Sequence, residues 1–229
     1  MQTTEISARV LDERAFIAKV YWWMAVALCL TAVVSLWTAS TPALQQIILG
    51  NQIVFFGLMI GELALVFYLS FRVAKMSVQA ASIAFLVYSL LNGLTLSIIF
   101  LSFTAASIAS TFFVTAGTFG FMSAYGYFTK TDLTRIGNIL FMALIGLVLA
   151  TLVNIFWHNS ILYWITTYAG ILIFVGLTAY DTQKIKRIGQ TLDEASDEGK
   201  KAAVIGALAL YLDFINLFLM MLRLFGRRR

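Results

Sequence analysis

Seven long runs of apolar residues constrain this chain more than any other feature of its sequence. Each run holds about 20 residues, which as a helix matches the ~30 Å hydrocarbon core of a bilayer. Only helices and closed barrels can span lipid, because an unpaired backbone polar group is costly there. The runs are continuous rather than alternating, so they predict helices. They cover approximately residues 20–39, 53–71, 80–101, 108–128, 139–157, 161–180 and 202–222.

The low content of charged residues excludes a water-soluble globular protein. Of 229 residues 61% are hydrophobic and only 12% are charged, whereas soluble domains carry about 25% charged residues. We therefore predict an all-α integral membrane protein with seven transmembrane helices. Residues 1–19 form a cytoplasmic N-terminal segment, and residues 20–229 form a single seven-helix membrane domain whose partner is the lipid bilayer.

The basic residues predict the orientation of the chain. Of the 16 Lys and Arg residues, twelve lie in the N-terminal segment or in the second–third, fourth–fifth and sixth–seventh connections, and the other three connections hold none. Because cytoplasmic loops are enriched in Lys and Arg, the N-terminus is expected in the cytoplasm. Basic residues arranged in this way set topology, so we expect no nucleic-acid partner.

The remaining four basic residues, Arg223 and Arg227 to Arg229, conflict with this pattern. Seven crossings would place them outside. Either the seventh helix crosses despite its tail, or it re-enters and leaves the C-terminus in the cytoplasm. We favour crossing, because a very short tail is a small perturbation on an orientation set by twelve other charges.

Small residues at helical spacing predict close helix–helix contacts in two of the spans. In lipid, helices associate where small side chains let their backbones approach. One face lies in the fourth span and one in the fifth. Their members are Gly117, Gly120 and Ala124, and Gly146, Ala150 and Asn154.

Three acidic residues are candidates for a functional site because they lie within or next to apolar runs: Glu62, Asp181 and Asp213. A carboxylate at membrane depth costs at least ~2.5–3.5 kcal/mol, so it is expected to face the bundle interior. Arg72 lies ten residues after Glu62, about 15 Å further along the same helix. Asn216 lies on the same helix face as Asp213.

Two inward aspartates on adjacent helices suggest a proton-controlled latch. Two carboxylates in a poorly solvated site cannot both ionise cheaply, so such a pair is expected to share a proton. When deprotonated, Asp181 and Asp213 would bind the guanidinium of Arg72 and close the cytoplasmic end; when protonated, they would release it. The alternative is a buried polar cluster that only holds the sixth and seventh helices together.

Three segments resemble the Bax inhibitor-1 (transmembrane Bax inhibitor motif) family, in particular its bacterial branch, and the similarity extends over nearly the whole chain. These are GLTAYDTQK at 176–184, LYLDFINLF at 210–218 and TAASIASTF at 104–112. The two aspartate motifs at this spacing are a specific signal, whereas either one alone is weak.

The resemblance implies a fold in which six helices wrap around a central seventh, and a pH-sensitive calcium leak located in the cell inner (plasma) membrane. It implies that Asp181 and Asp213 are the pH sensor and gate, with Arg72 as the latch. Glu62, Asp213 and Asn216 are then expected along the ion pathway. Ca²⁺ takes 6–8 oxygen ligands, so Asp181 and Asp213 would bind it only weakly, as a transported ion. No cofactor is expected.

Two other functional classes remain open from the residues. An intramembrane aspartyl protease also pairs aspartates on its sixth and seventh helices, but Asp213 lacks the flanking glycines of that family and no Pro-Ala-Leu follows. We therefore expect no enzyme. A regulatory protein that acts on a membrane protease or a stress response, through a membrane-protein partner, is the second alternative.

Overall fold

A computed structural model describes the backbone of residues 2–229 and the side chains of residues 12–229. Over residues 2–229 the chain forms eight α-helices and one short 3₁₀ turn, Val73–Lys75, without a β-strand. The helices are α1 (Gln2–Ser40), α2 (Pro42–Ile48), α3 (Gln52–Arg72), α4 (Val78–Ser102), α5 (Ala105–Phe128), α6 (Thr134–Trp157), α7 (Ser160–Gly189) and α8 (Asp197–Phe225).

Seven of these helices are long and apolar enough to cross a membrane, which confirms the predicted all-α class and the number of spans. The exception is α2, a short helix that begins at Pro42, where proline's missing N–H costs nothing. The spans extend beyond the apolar runs because a helix continues past the depth at which hydropathy is high. As a result, Asp181 lies inside α7, which ends at Gly189. The side chains of residues 1–11, including Arg9 in the predicted N-terminal segment, lie outside the described residues.

Short polar side chains begin three of the spans. Asn51 accepts hydrogen bonds from the N–H groups of Ile53 and Val54 at the start of α3. Ser77 and Thr104 accept equivalent bonds at the start of α4 and α5. These caps satisfy N–H groups that have no partner within the helix, and they fix where each span leaves its connection.

The chain divides into two compact units. One contains residues 1–103, 187–211 and 229, and the other contains residues 104–186 and 212–228. Helix α8 contributes to both, since its first half belongs to the first unit and its second half to the second. It is also the most buried of the seven spans: 72% of its apolar stretch is buried, against 6–39% for the others.

In the first unit, α1 packs along α4 at a glycine. A Cβ on Gly93 would lie 2.8 Å from the Cβ of Val34 and 2.9 Å from the carbonyl oxygen of Thr31. Ser35 donates a 2.8 Å hydrogen bond from Oγ to the carbonyl of Gly93. Close backbone approach and an interhelical hydrogen bond therefore hold these two helices together.

In the second unit, the close approaches occur at glycines other than those predicted. The predicted contact faces were wrong for Gly117, Gly120 and Gly146, because a Cβ at each would meet nothing within 4 Å. Gly126 instead packs against the backbone of Ala179, and Gly137 against the ring of Tyr180. Small residues permit close approach on any face but do not specify which face is buried. In α5 the buried face is the one that carries Ser107, Thr111, Thr115, Phe119, Ser123 and Gly126.

The residues after α8 pair with the α4–α5 connection. In the second unit, the N–H of Thr104 donates to the carbonyl of Arg227 at 3.1 Å, and the N–H of Arg227 donates to Ser107 Oγ at 2.9 Å. In the first unit, the N–H of Arg229 donates to the carbonyl of Ser102 at 3.0 Å. A continuous α8 that ends beside the third–fourth connection favours crossing over re-entry.

Candidate functional site

The second unit brings the two predicted aspartates together. Asp181 lies in the last third of α7 and Asp213 in the middle of α8, and their carboxyl groups lie close enough to interact directly. Two carboxylates this close in an apolar site repel each other, so the pair is expected to share a proton. The two residues are called the aspartate pair below.

The two members of the pair have different surroundings. Asp213 is 4% exposed, and its Oδ2 is a buried oxygen without a hydrogen-bond partner among residues 12–229. Asp181 is half-buried, and the ammonium of Lys184 on the next turn interacts favourably with it. The two aspartates of the pair therefore differ in environment: Asp213 is buried among the helices, whereas Asp181 is partly exposed and lies near a basic residue.

Two residues that the sequence reasoning missed fasten this part of α7 to the rest of the unit. Gln183 accepts a 2.9 Å hydrogen bond from the N–H of Leu133 and donates a 2.8 Å bond to the carbonyl of Thr131. Lys186 donates to the carbonyl of Tyr127 at 2.9 Å and lies 4.6 Å from the centre of its ring. The sequence feature that could have identified Gln183 and Lys186 is their position, because both follow Asp181 in a helical stretch just past an apolar run.

Glu62 lies in the first unit, buried within α3, and both of its oxygens are satisfied. Oε1 accepts a 2.9 Å hydrogen bond from Thr95 Oγ1, and Oε2 accepts a 3.3 Å bond from Asn92 Nδ2. Burial of a carboxylate is costly unless it is hydrogen-bonded. Two donors from α4 therefore account for an acidic side chain that is only 9% exposed.

The hydrogen bonds continue from Glu62 to α8 and α1. The hydroxyl of Tyr211 donates a 3.3 Å bond to Asn92 Oδ1 and lies 2.7 Å from Thr31 Oγ1, which is 2.9 Å from the carbonyl of Ser89. This Glu62 network, from Glu62 through Asn92 and Tyr211 to Thr31, connects four helices. Sequence reasoning identified Glu62 but not Tyr211 or Thr31 as its partners.

The remaining predicted site residues make simpler contacts. Arg72 is exposed in the last turn of α3, and its role as a latch stays a prediction. Asn216 is half-buried and donates a 2.8 Å hydrogen bond to the carbonyl of Leu212 on its own helix. Its position along an ion pathway also stays a prediction.

The acidic residues do not form a dense metal site. Among residues 12–229 no group of three or more His, Cys, Asp or Glu side chains is arranged to hold a metal ion. The two carboxyl groups of the aspartate pair supply fewer oxygens than the 6–8 that Ca²⁺ takes. Calcium binding by Asp181 and Asp213 stays a prediction, and on this donor set it would be weak and transient.

Comparison with known proteins gives consistent matches over the whole chain. The family model described as "Inhibitor of apoptosis-promoting Bax1" matches residues 13–229. "Inner membrane protein YbhL" of Escherichia coli is 53% identical over 217 residues, which cover 94% of this chain and 93% of the relative. An uncharacterised protein of Borreliella burgdorferi is 42% identical over 226 residues, with 99% and 97% covered. One from Rickettsia prowazekii is 43% identical over 234 residues, with 99% and 96% covered.

Proposed function

This chain belongs to the Bax inhibitor-1 family, and we propose that it is a pH-sensitive cation leak of the inner membrane that passes calcium. The observation that carries the proposal is the close approach of the Asp181 and Asp213 carboxyl groups, of which Asp213 is buried, in an apolar helix bundle. A proton shared by two carboxyl groups is lost or gained as a unit, and its loss doubles the negative charge of the pair. Such a group responds to pH through charge repulsion.

The gate follows from this change in charge. When protonated, the pair carries one negative charge, and the protonated carboxyl can donate a hydrogen bond to the other and hold α7 and α8 together. When deprotonated, it carries two negative charges, attracts the guanidinium of Arg72 and closes the cytoplasmic end. Calcium flux is therefore expected to rise as the pH falls. Calcium is the transported ion, and it passes Glu62, Asp213 and Asn216 without binding tightly at any of them.

The test is calcium flux into proteoliposomes between pH 5 and 8, with an entrapped fluorescent indicator. The wild-type chain is compared with Asp181→Asn and Asp213→Asn, and the matched control is Asp197→Asn. Asp197 is an exposed aspartate at the start of α8 whose nearest cation, Lys200, is 3.9 Å away. We expect the pH dependence to flatten in both pair variants and to persist in the control. A pH profile that is unchanged in either pair variant would falsify the gate, and absence of calcium flux in the wild type would remove the leak itself.

The paired carboxyl groups also suit an intramembrane aspartyl protease, in which one carboxyl acts as a base and the other as an acid. The motif around Asp213 lacks the glycines of that class, so we rank this activity second. Cleavage of a reporter helix in the same proteoliposomes, abolished by both pair variants, would favour it. A regulatory role is distinguished by co-purification of a stoichiometric membrane-protein partner.

A further inference from the structure

The second unit contains a cavity lined mainly by residues that carry a polar group, two of which are basic. Its volume is about 430 Å³, and it opens where α6 ends, α7 begins and the chain leaves α8. Its two charged residues are Arg223 and Arg228, and no acidic side chain of residues 12–229 lines it. Neutral groups from α6 and α7 complete the wall, among them Thr151, Asn154, Ser160 and Tyr163. We call this the basic cavity.

Arg223 is held in place without a counter-charge. It is half-buried, its guanidinium carbon lies 5.5 Å from the centre of the Tyr163 ring, and no ion pair within residues 12–229 includes it. A guanidinium over an aromatic ring gains a cation–π attraction that restricts its position. A charge that is partly removed from water and unpaired is unfavourable, and an anion in the cavity would relieve that cost.

Arg228 enters the same cavity because the segment that carries it is anchored. The backbone of its neighbour Arg227 is bonded on both sides, to Thr104 and to Ser107. A backbone fixed in this way limits how far Arg228 can move from the cavity. Two arginines that line one cavity can together donate hydrogen bonds to the oxygens of a phosphate group.

The basic cavity also gives a role to two of the four arginines at and after the end of α8, which oppose the charge rule that fits the rest of the chain. Arginines on the predicted outer side of the membrane, where the charge rule disfavours them, are explained if they bind an anion there. The cavity lies at the ends of three spans, which is the depth of the lipid headgroups. Each phospholipid headgroup in the leaflet at that end presents a phosphodiester at this level.

We propose that the basic cavity binds a phosphate group through Arg223 and Arg228. Two sources share this chemistry: the headgroup of an anionic phospholipid and free inorganic phosphate. The neutral hydroxyl and amide groups of the wall serve as additional hydrogen-bond donors. The site belongs to the second unit alone and does not depend on the aspartate pair, so it can be tested whether or not the chain conducts calcium.

The experiment is native mass spectrometry of the full chain in detergent, titrated with phosphatidylglycerol or with diacylglycerol, which lacks the phosphate. A parallel arm titrates inorganic phosphate and follows the shift in thermal unfolding. We expect phosphatidylglycerol to bind and diacylglycerol not to bind. If inorganic phosphate stabilises the protein and competes with phosphatidylglycerol, the phosphate group alone is sufficient for binding. If the lipid binds but inorganic phosphate has no effect, the ligand is the lipid headgroup.

Substitutions at two arginines of the same segment provide the matched comparison. Arg228→Gln removes a cavity charge from an exposed position, so the fold is expected to persist, and binding should weaken about tenfold, the value of one charge-assisted hydrogen bond. Arg227→Gln removes the same charge one residue away, outside the cavity lining, and should change binding less than about twofold. Equal losses in the two variants, equal binding of both lipids, or binding of neither phosphate source would overturn the proposal.

Discussion

At the scale of single residues, the buried carboxyl groups of Glu62 and Asp213 differ in their hydrogen bonding. Both oxygens of Glu62 accept hydrogen bonds from side chains of α4, so its charge is compatible with the surrounding structure. Asp213 has a buried oxygen without a partner among residues 12–229 and lies beside the carboxyl group of Asp181. A buried carboxylate without a hydrogen-bond donor is unfavourable when it is charged. The second site is therefore the better candidate for a switch.

Tyr211 is expected to be the most sensitive polar residue of the Glu62 network. Tyr211→Phe removes a buried hydroxyl that lies 2.7 Å from Thr31 and 3.3 Å from Asn92. The free energy of unfolding should fall by about 1–3 kcal/mol, because the buried Asn92 and Thr31 groups lose a partner. The measurement is equilibrium unfolding in mixed micelles, followed by far-UV circular dichroism.

Tyr88→Phe is the control for this prediction. The Tyr88 ring packs edge-on against Tyr211 with centroids 5.9 Å apart, so it lies in the same aromatic cluster, but its hydroxyl has no hydrogen bond within residues 12–229. Its removal should change the free energy of unfolding by less than about 0.5 kcal/mol. A Tyr88→Phe effect as large as that of Tyr211→Phe would mean that ring packing, rather than the hydroxyl, stabilises the cluster.

The sequence identified the acidic residues of both sites but not most of their partners. Glu62, Asp181 and Asp213 stand out because a carboxylate is expensive in an apolar helix. Thr31, Asn92, Thr95 and Tyr211 are common in transmembrane helices, and they become a network only when α1, α3, α4 and α8 are placed beside one another. That placement depends on tertiary packing, which a single sequence does not contain.

At the scale of helices, the close approach of α5 to α7 controls the surroundings of Asp181. A Cβ on Gly126 would collide with the backbone carbonyl of Ala179, two residues before Asp181. A backbone atom cannot move aside as a flexible side chain does, so the two helices would have to separate. The geometry of the aspartate pair is therefore tied to a glycine on a neighbouring helix.

We expect Gly126→Ala to lower the free energy of unfolding by about 1–3 kcal/mol through overpacking. Gly120→Ala, on the same helix, meets nothing within 4 Å and should be neutral or stabilising by up to about 1 kcal/mol, since alanine favours helix. Unfolding in increasing sodium dodecyl sulfate measures both variants. Similar shifts in the two would argue against close packing of α5 and α7 at Gly126.

The presence of each helix was predictable from the sequence, whereas the face that each helix buries against its neighbours was not. Hydropathy located all seven spans to within a few residues at most ends, because burial in lipid acts on every residue of a span. Gly117 and Gly120 were expected to face another helix and instead lie on an exposed face of α5. The buried face carries hydroxyl groups, including Thr111 and Thr115, which a search for small residues does not select.

At the scale of the whole chain, the position of the C-terminal segment bears on the predicted topology. The charge count placed the third–fourth connection outside but left two possibilities for the residues after α8. The backbone hydrogen bonds of Arg227 to Thr104 and Ser107 favour crossing, and the side of the C-terminus stays a prediction. Pairing between distant parts of the backbone leaves no signature in a hydropathy window, so this result required the structure.

Cysteine accessibility tests this topology in whole cells. Cys29 is the only cysteine, so Cys29→Ala provides a cysteine-free background. In that background we expect Gly226→Cys to react with an impermeant maleimide from outside, as should Asn159→Cys in the α6–α7 connection. Ser196→Cys, in the connection between α7 and α8, should react only after the inner membrane is permeabilised. Reaction of Gly226→Cys only under that second condition would reverse the assignment.

The deep burial of α8 has a consequence for the biogenesis of the protein. Of the seven spans, α8 is synthesised last, and it carries Asp213 in the middle of its apolar stretch. A nascent helix with a central aspartate partitions into lipid poorly by itself. The earlier spans must therefore already be in the bilayer, with the faces that will contact α8 still uncovered, when it leaves the ribosome. Membrane insertion of this chain should depend on assembly order, and truncation before α8 should yield a product that membrane quality control degrades.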